Sequence, residues 1–289
     1  MSGVAERSFQ MALNVGVWTP GWDLHAAPPL LERAAELGYT HVVVPVRTID
    51  APDAVAALFE RHGLAPLCSA SVQPDVDVSS DDPDVRAAGA ARLREMVGIA
   101  RDVGADQLGG VLYGPLGGRG PVSPERFART AALLGAVADH AHGQGVQLAF
   151  EILNRYETAV VNTVEQGLAL IAASGSPHLR LHLDTFHMNI EESDPVAATV
   201  AAVAHLAYLE LEQSNRGRFD QGTVPMRAIV DAAVAAGYRG KFGMEAFSSA
   251  LMAPESAAKL SVWRPVFDRD NTIAEDAIRL VREAHASAP

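Results

Sequence analysis

Residues His182 to Glu192 read HLDTFHMNIEE. Leucines alternate with polar residues over 179–183, which is typical of a strand. The strand then delivers an acid, Asp184, and a histidine, His187, into the segment that follows. In a (β/α)8 barrel, reactive side chains gather at the C-terminal ends of the strands, because the loops after them form the active face. The stretch therefore predicts one strand of such a barrel.

Strand-like and helix-like segments alternate along the whole chain. The strand candidates are Met11–Val17, Thr40–Val46, Ala65–Val72, Gln107–Tyr113, Gln147–Glu151, Arg180–Asp184, Leu206–Leu211 and Lys241–Glu245. The helical candidates are Pro28–Leu37, Ala51–His62, Val85–Val103, Pro124–Gly143, Thr163–Ser174, Met226–Ala236 and Thr272–Ala284. Helical segments end near glycine, the usual C-cap residue, at Gly38, Gly63, Gly104, Gly145 and Gly237.

Eight such units predict an α/β fold with a single closed (β/α)8 barrel rather than an open sheet. The chain has 289 residues, the usual size of one barrel, so we expect one domain over 1–289. Two segments are longer than a turn requires, near 73–83 and 247–271. Long loops on the active face of a barrel usually bind or cover the ligand, and we expect that of both.

Charge and cysteine content exclude several classes of partner. The formal net charge is −12, whereas nucleic acid and anionic membranes select clustered Lys and Arg, so we expect neither as a partner. Cys68 is the only cysteine, which excludes an internal disulfide, and it lies in an apolar strand as a structural residue would. The apolar run Val196–Leu209 is too short to span a bilayer. We expect a cytoplasmic protein.

The last four predicted strands each deliver one acid, at Glu151, Asp184, Glu210 and Glu245. Four carboxylates that converge in one barrel repel one another strongly unless a cation lies between them. Oxygen ligands favour a hard divalent ion such as Mn²⁺ or Mg²⁺. The alternative is that each acid merely ends its strand as a solvated loop residue. We expect His182, in contrast, to pack outside the barrel.

The sequence resembles the xylose-isomerase-like barrel superfamily and, within it, the D-tagatose/D-psicose 3-epimerase group. The resemblance covers nearly the whole chain. Its most specific segments are 183–192, Glu151 with 154–157, 214–217 and 262–264.

The resemblance implies that Glu151, Asp184 and Glu245 are metal ligands, with Mn²⁺ as the expected ion and Mg²⁺ or Co²⁺ as alternatives. It also implies that Glu151 and Glu245 are the acid/base pair. A divalent ion held by a ketose carbonyl and its neighbouring hydroxyl stabilises an enediolate. Two carboxylates on opposite faces of the adjacent carbon then remove the proton from one side and return it on the other.

Substrate contacts follow from the same resemblance. It implies that Glu157, His187 and Arg216 contact the sugar near its first carbons. Trp18 and Tyr113 end the first and fourth predicted strands. At these positions Trp18 and Tyr113 are either part of an apolar wall against a sugar ring or ordinary residues of the hydrophobic core.

The chain departs from the family pattern at its seventh strand. The metal-binding histidine of the family falls on Glu210, and the substrate-contacting Glu that follows falls on Gln213. We expect Glu210 to be a fourth metal ligand. The expected function is epimerisation of a ketose at carbon 3 by a homo-oligomer, a dimer or a tetramer. The alternatives are a C-glycoside deglycosidase, a 3-keto-sugar lyase, and a catalytically altered sugar-binding subunit.

Overall fold

The computed structural model describes residues 9–117, 120–268 and 271–287, and eight parallel strands in these ranges form a closed barrel in chain order. The strands are β1 Gln10–Leu13, β2 His41–Pro45, β3 Ala65–Ser71, β4 Gln107–Val111, β5 Gln147–Ile152, β6 Leu179–Asp184, β7 Leu206–Leu211 and β8 Lys241–Met244. The ring closes where β1 pairs with β8, with Leu13 opposite Met244. The predicted fold class, a (β/α)8 barrel, is confirmed.

Helices follow the strands, and the longer ones cover the outside of the barrel. They are α1 Ala27–Leu37, α2 Pro52–His62, α3 Pro83–Asp102, α4 Pro124–Gly143, α5 Val164–Ser174, α6 Thr185–Glu191, α7 Pro195–Ala202, α8 Met226–Ala235, α9 Pro254–Lys259 and α10 Asn271–Ser287. All five glycines predicted at helix ends have positive φ. At Gly38, φ is 99°, a conformation that costs a residue with a side chain more than it costs glycine. Within the described ranges, no helix combines the length and the apolar character that a membrane-spanning segment requires.

Two predicted strands, β1 and β4, end more than one residue earlier than their sequences suggest. β1 ends at Leu13, because the Asn14 side chain accepts a hydrogen bond from the Gly16 amide at 2.9 Å and starts a 3-10 turn. β4 ends at Val111. Trp18 and Tyr113, expected at the ends of these strands, therefore lie beyond them. The short helices α6, α7 and α9 were not predicted, because each is shorter than the span over which helical periodicity is readable.

The apolar core lies mainly between the strands and the surrounding helices. A second, small apolar layer fills the inside of the barrel and consists of Ala12, Val43, Leu67 and Tyr208. Residues two apart in a strand share a face, so the side chains that follow this layer along each strand also point inward. The inside of the barrel toward its C-terminal face is therefore available for polar side chains.

Candidate metal and sugar site

Acidic side chains from three neighbouring parts of the barrel meet at its C-terminal face. Asp184 ends β6, Glu212 follows β7 directly, and Glu245 follows β8 directly. One carboxylate oxygen from each of these three residues lies within 4.8 Å of the other two. We call Asp184, Glu212 and Glu245 the upper group. Sequence reasoning found two of its members and missed Glu212.

The backbone holds the upper group together. Thr185 Oγ1 accepts a hydrogen bond from the Glu212 amide and donates one to the Glu212 carbonyl, both at 2.8 Å. The Glu245 amide donates to the Leu211 carbonyl at 3.1 Å. Asn14 Nδ2 donates to Glu245 Oε1 at 2.5 Å. Glu212 and Glu245 are thus positioned by contacts to neighbouring strand ends, not by their own loops alone.

Arg216 is the cation next to the upper group. Its Nη1 lies 2.6 Å from Glu212 Oε2, and its Nη2 lies 3.1 Å from Glu157 Oε1. The guanidinium also lies 3.8 Å from the centroid of the Phe186 ring, a cation–π distance. Arg216 has a φ of 57°, the left-handed region that a residue with a side chain adopts at a cost. The structure therefore brings Glu157 and Arg216, both predicted as substrate contacts, into one ion pair.

Deeper in the barrel lies a second cluster, the lower group, which consists of Glu151, His182 and Glu210. His182 Nε2 lies 3.0 Å from Glu210 Oε2, and its Nδ1 lies 3.9 Å from Glu151 Oε2. The Tyr208 hydroxyl donates to Glu210 Oε1 at 3.0 Å. Both oxygens of Glu210 therefore have a partner within the lower group.

The expectation that His182 packs outside the barrel is wrong. His182 is only 5% exposed and lines the internal cavity. The reason is the strand repeat: His182 and Asp184 are two residues apart in β6, so both side chains point to the inside.

His187 connects the two groups. Asp184 caps α6 through Oδ1, which accepts from the Phe186 amide at 2.8 Å, and the helix then places His187 above the acids. His187 Nε2 lies 3.6 Å from Asp184 Oδ2 and 3.7 Å from Glu151 Oε1. Its Nδ1 accepts from the Asn154 amide at 3.1 Å, so the proton of the neutral ring is on Nε2, facing the carboxylates. Asn154 is a positioning residue that sequence reasoning did not assign.

Burial changes the ionisation of these acids. Burial, followed by repulsion from Glu210, raises the pKa of Glu151 to about 7, although His182 opposes it. Burial also raises the pKa of Glu212 to about 7, against the opposing effect of Arg216. For Asp184 and Glu245, burial and repulsion between neighbouring carboxylates hold the pKa well above its usual range. The carboxylates are therefore short of positive charge.

The donor atoms of the upper group fit a divalent cation. Among the described residues, Asp184 Oδ2 and Glu212 Oε1 are buried and have no hydrogen-bond partner. An unpaired buried carboxylate oxygen is costly, and Arg216 supplies only one positive charge to the group. Oxygen donors at this spacing are the ligands that hard divalent ions prefer.

A cavity of about 330 Å³ is bordered by all three members of the lower group and by Glu245 of the upper group. Its polar wall includes Glu151, Glu157, His187, Glu210, Arg216 and Glu245. Of the two aromatic residues predicted to contact substrate, Trp18 is 7% exposed and Tyr113 is fully buried, and neither is among the described residues that line this cavity. Trp22, which stacks on Phe59, lines it instead.

The chain matches known families and proteins along most of its length. Residues 31–283 match the family model of the xylose isomerase-like TIM barrel. The chain is 34% identical over 271 residues to the ketose 3-epimerase of Arthrobacter globiformis, covering 92% of this chain and 93% of that protein. It is 34% identical over 273 residues to the L-ribulose 3-epimerase of Mesorhizobium japonicum, covering 91% of each.

Solved structures give the same result. The crystal structure of D-allulose 3-epimerase from Methylomonas sp., in complex with D-allulose, superposes with a TM-score of 0.89 at 31% identity. The alignment covers 96% of this chain and 97% of that one. This chain belongs to the xylose isomerase-like TIM barrel family and, within it, to the group of the ketose 3-epimerases.

Proposed function

We propose that the protein epimerises a ketose at carbon 3, with Glu151 and Glu245 as the acid/base pair. The observation that carries this proposal is that both carboxylates line one cavity but come from β5 and β8, three strands apart in the ring. A substrate between them has one carboxylate on each side. That arrangement is what inversion at a single carbon requires.

The chemistry follows from the substrate. Carbon 3 of a ketose lies next to the carbonyl, so its proton is weakly acidic. One glutamate takes this proton, the electrons of the broken C–H bond form the enediol system, and the other glutamate donates a proton to the opposite face. In the metal-free protein, burial raises the pKa of Glu151 to about 7, so that this carboxyl can both take and return a proton near neutral pH.

The cavity walls position the sugar. We assign the hydroxyls at the first carbons to Glu157, His187 and Arg216, which line the polar side. Trp22 and Phe247 line the same cavity, and we assign to them the apolar wall for the carbon chain, in place of Trp18 and Tyr113.

We propose Mn²⁺ as the resident cation, with Mg²⁺ or Co²⁺ as alternatives. Glu151, Asp184, Glu245 and a carboxylate from the end of β7 would hold it; Glu210 shares a group with Glu151, and Glu212 shares one with Asp184 and Glu245. When bound, such an ion supplies a Lewis acid that stabilises negative charge developing on the sugar oxygens. The unpaired buried oxygens of Asp184 and Glu212 support this assignment.

A ketose panel tests the proposal. The purified protein is supplied with Mn²⁺ and incubated separately with L-ribulose and D-allulose, the sugars that relatives of this chain act on or bind. We expect at least one to be converted to its 3-epimer, L-xylulose or D-fructose, with the Glu151→Gln/Glu245→Gln double variant as the blank. An aldose product, or an unsaturated product from a glycoside substrate with both ketoses unchanged, contradicts the proposal.

A further inference from the structure

We propose that the strand-seven ligand of the cation is Glu212, and that Glu210 is instead a positioning residue that orients His182 beside Glu151. The inference rests on the cation site of the proposed function. Glu210 and Glu212 are both buried and lie two residues apart, but the inference gives them different roles. In the sequence pattern of the family, the metal-binding residue falls on Glu210 and not on Glu212.

The side chain of Glu210 is already engaged deeper in the barrel. Its two oxygens contact Tyr208 and His182, each at 3.0 Å. Gly243, opposite Glu210 in the sheet, makes this possible, because a Cβ there would overlap the Tyr208 hydroxyl. Glu210 therefore shares a candidate metal group with Glu151 and His182, and in the described part of the chain it shares none with Asp184 or Glu245.

Glu212 has the geometry of a ligand. Its side chain is fully buried, and its backbone is held next to Asp184 by both hydrogen bonds of Thr185. Oε2 pairs with Arg216, which leaves Oε1 unpaired among the described residues. Asp184 Oδ2 is the other unpaired carboxylate oxygen of the upper group. Two buried, unpaired oxygens on neighbouring carboxylates are an observation independent of the acidic cluster itself, and a cation between them would satisfy both.

The charges agree with this assignment. The upper group carries three carboxylates, and Arg216 faces one of them at 2.6 Å and Glu245 Oε2 at 3.9 Å. A divalent ion held by the three carboxylates would, together with Arg216, balance their formal charge. Because this set has only oxygen donors, the site favours Mn²⁺ or Mg²⁺ over ions that prefer nitrogen or sulfur.

The role of Glu210 follows from its contact with His182. Glu210 Oε2 accepts a hydrogen bond from His182 Nε2 and so fixes the imidazole ring. His182 Nδ1 then faces Glu151 Oε2 at 3.9 Å. The contribution of Glu210 to turnover is thus indirect, through the orientation of His182 and the position of Glu151.

The experiment measures Mn²⁺ affinity by calorimetry and by electron paramagnetic resonance in four proteins: wild type, Glu212→Gln, Glu210→Gln and Glu157→Gln. We expect Glu212→Gln to raise the Kd for Mn²⁺ by at least about thirtyfold, whereas Glu210→Gln keeps it within about threefold. Glu157→Gln is the matched control, because Glu157 also pairs with Arg216 but does not belong to the upper group. We expect its Kd for Mn²⁺ to stay within about threefold of the wild-type value. If Glu212→Gln does not fold, Glu212→Asp replaces it, with the same expected ranking.

The positioning role has its own readout. We expect Glu210→Gln to keep part of the turnover, because the amide oxygen still accepts from His182, whereas Glu210→Leu loses about tenfold or more in kcat with KM nearly unchanged. Equal losses in the two variants contradict the positioning role.

Two outcomes overturn the ligand assignment. One is a Kd that rises more in Glu210→Gln than in Glu212→Gln, and the other is a wild type that binds no Mn²⁺. If Mn²⁺ binds with the expected ranking but no ketose is epimerised, the proposed function fails and the ligand assignment stands.

Discussion

Replacing Glu151 or Glu245 with glutamine lowers kcat for 3-epimerisation by about a hundredfold or more, while the fold stays intact. Glutamine keeps the shape of the side chain and its hydrogen-bonding capacity but can no longer take or return a proton. The measurement is steady-state turnover of the ketose that gives product in the panel. Circular dichroism and melting temperature verify folding. Glu60→Gln, on the exposed side of α2, is the matched control.

The two variants also differ from each other in a way that only a two-base mechanism produces. In heavy water, Glu245→Gln keeps Glu151, which can still exchange the carbon 3 proton of the epimer whose C–H bond faces it. Glu151→Gln should exchange the opposite epimer. Near-normal kcat in either variant, or exchange of the same epimer in both, contradicts the acid/base assignment.

Arg216→Met is expected to destabilise the metal-free protein by about 3–5 kcal/mol at pH 8. The change removes the cation from between Glu212 and Glu157 and leaves buried carboxylates without a positive partner. Urea unfolding measures the difference in the free energy of unfolding. Arg227→Met is the control, since Arg227 pairs with Asp231 and Glu283 on the surface and its side chain is 48% exposed, so its loss should cost about 1 kcal/mol or less.

The destabilisation by Arg216→Met should be smaller at pH 6 than at pH 8. Burial raises the pKa of Glu212 to about 7 even with Arg216 opposing it, so without Arg216 this pKa rises further. At pH 6 the folded variant takes up a proton and the unpaired charge disappears. At pH 8 Glu212 is ionised in the unfolded chain, so the folded variant must take up a proton at that pH or bury an unpaired charge. Either one lowers the free energy of unfolding. An Arg216→Met effect no larger than that of Arg227→Met at pH 8 would show that the upper group does not depend on this cation.

The sequence predicts the barrel well, because its signals are local and repeated. Alternating apolar residues mark the strands, and glycines at helix ends mark the turns, so the order of elements needs no tertiary information. Helices as short as α6 and α9 give no periodic signal, and the end of β1 depends on a side-chain hydrogen bond of Asn14.

The site is predictable only as far as strand periodicity extends. Alternation along a strand places Glu210 and Glu212 on one face, and it places His182 on the same face as Asp184. Strict alternation therefore predicts that His182 lies inside the barrel. Which of Glu210 and Glu212 joins the upper group depends on Tyr208 and His182, contacts that come from other positions in space. The position of the tryptophans is likewise not readable from alternation. A 3-10 turn over Val15–Val17 interrupts the strand pattern before Trp18, and Trp22 lines the cavity instead.

The position of deuterium after turnover in heavy water tests directly whether two carboxylates move the proton at carbon 3. The wild-type protein with Mn²⁺ converts the ketose identified in the panel, and the product is analysed by mass spectrometry and proton NMR. If two carboxylates act on opposite faces of carbon 3, each product molecule carries one deuterium at that carbon. Substrate recovered at early times contains little deuterium. Product that keeps its original hydrogen, or carries deuterium at carbon 1, would contradict proton transfer between two carboxylates at carbon 3.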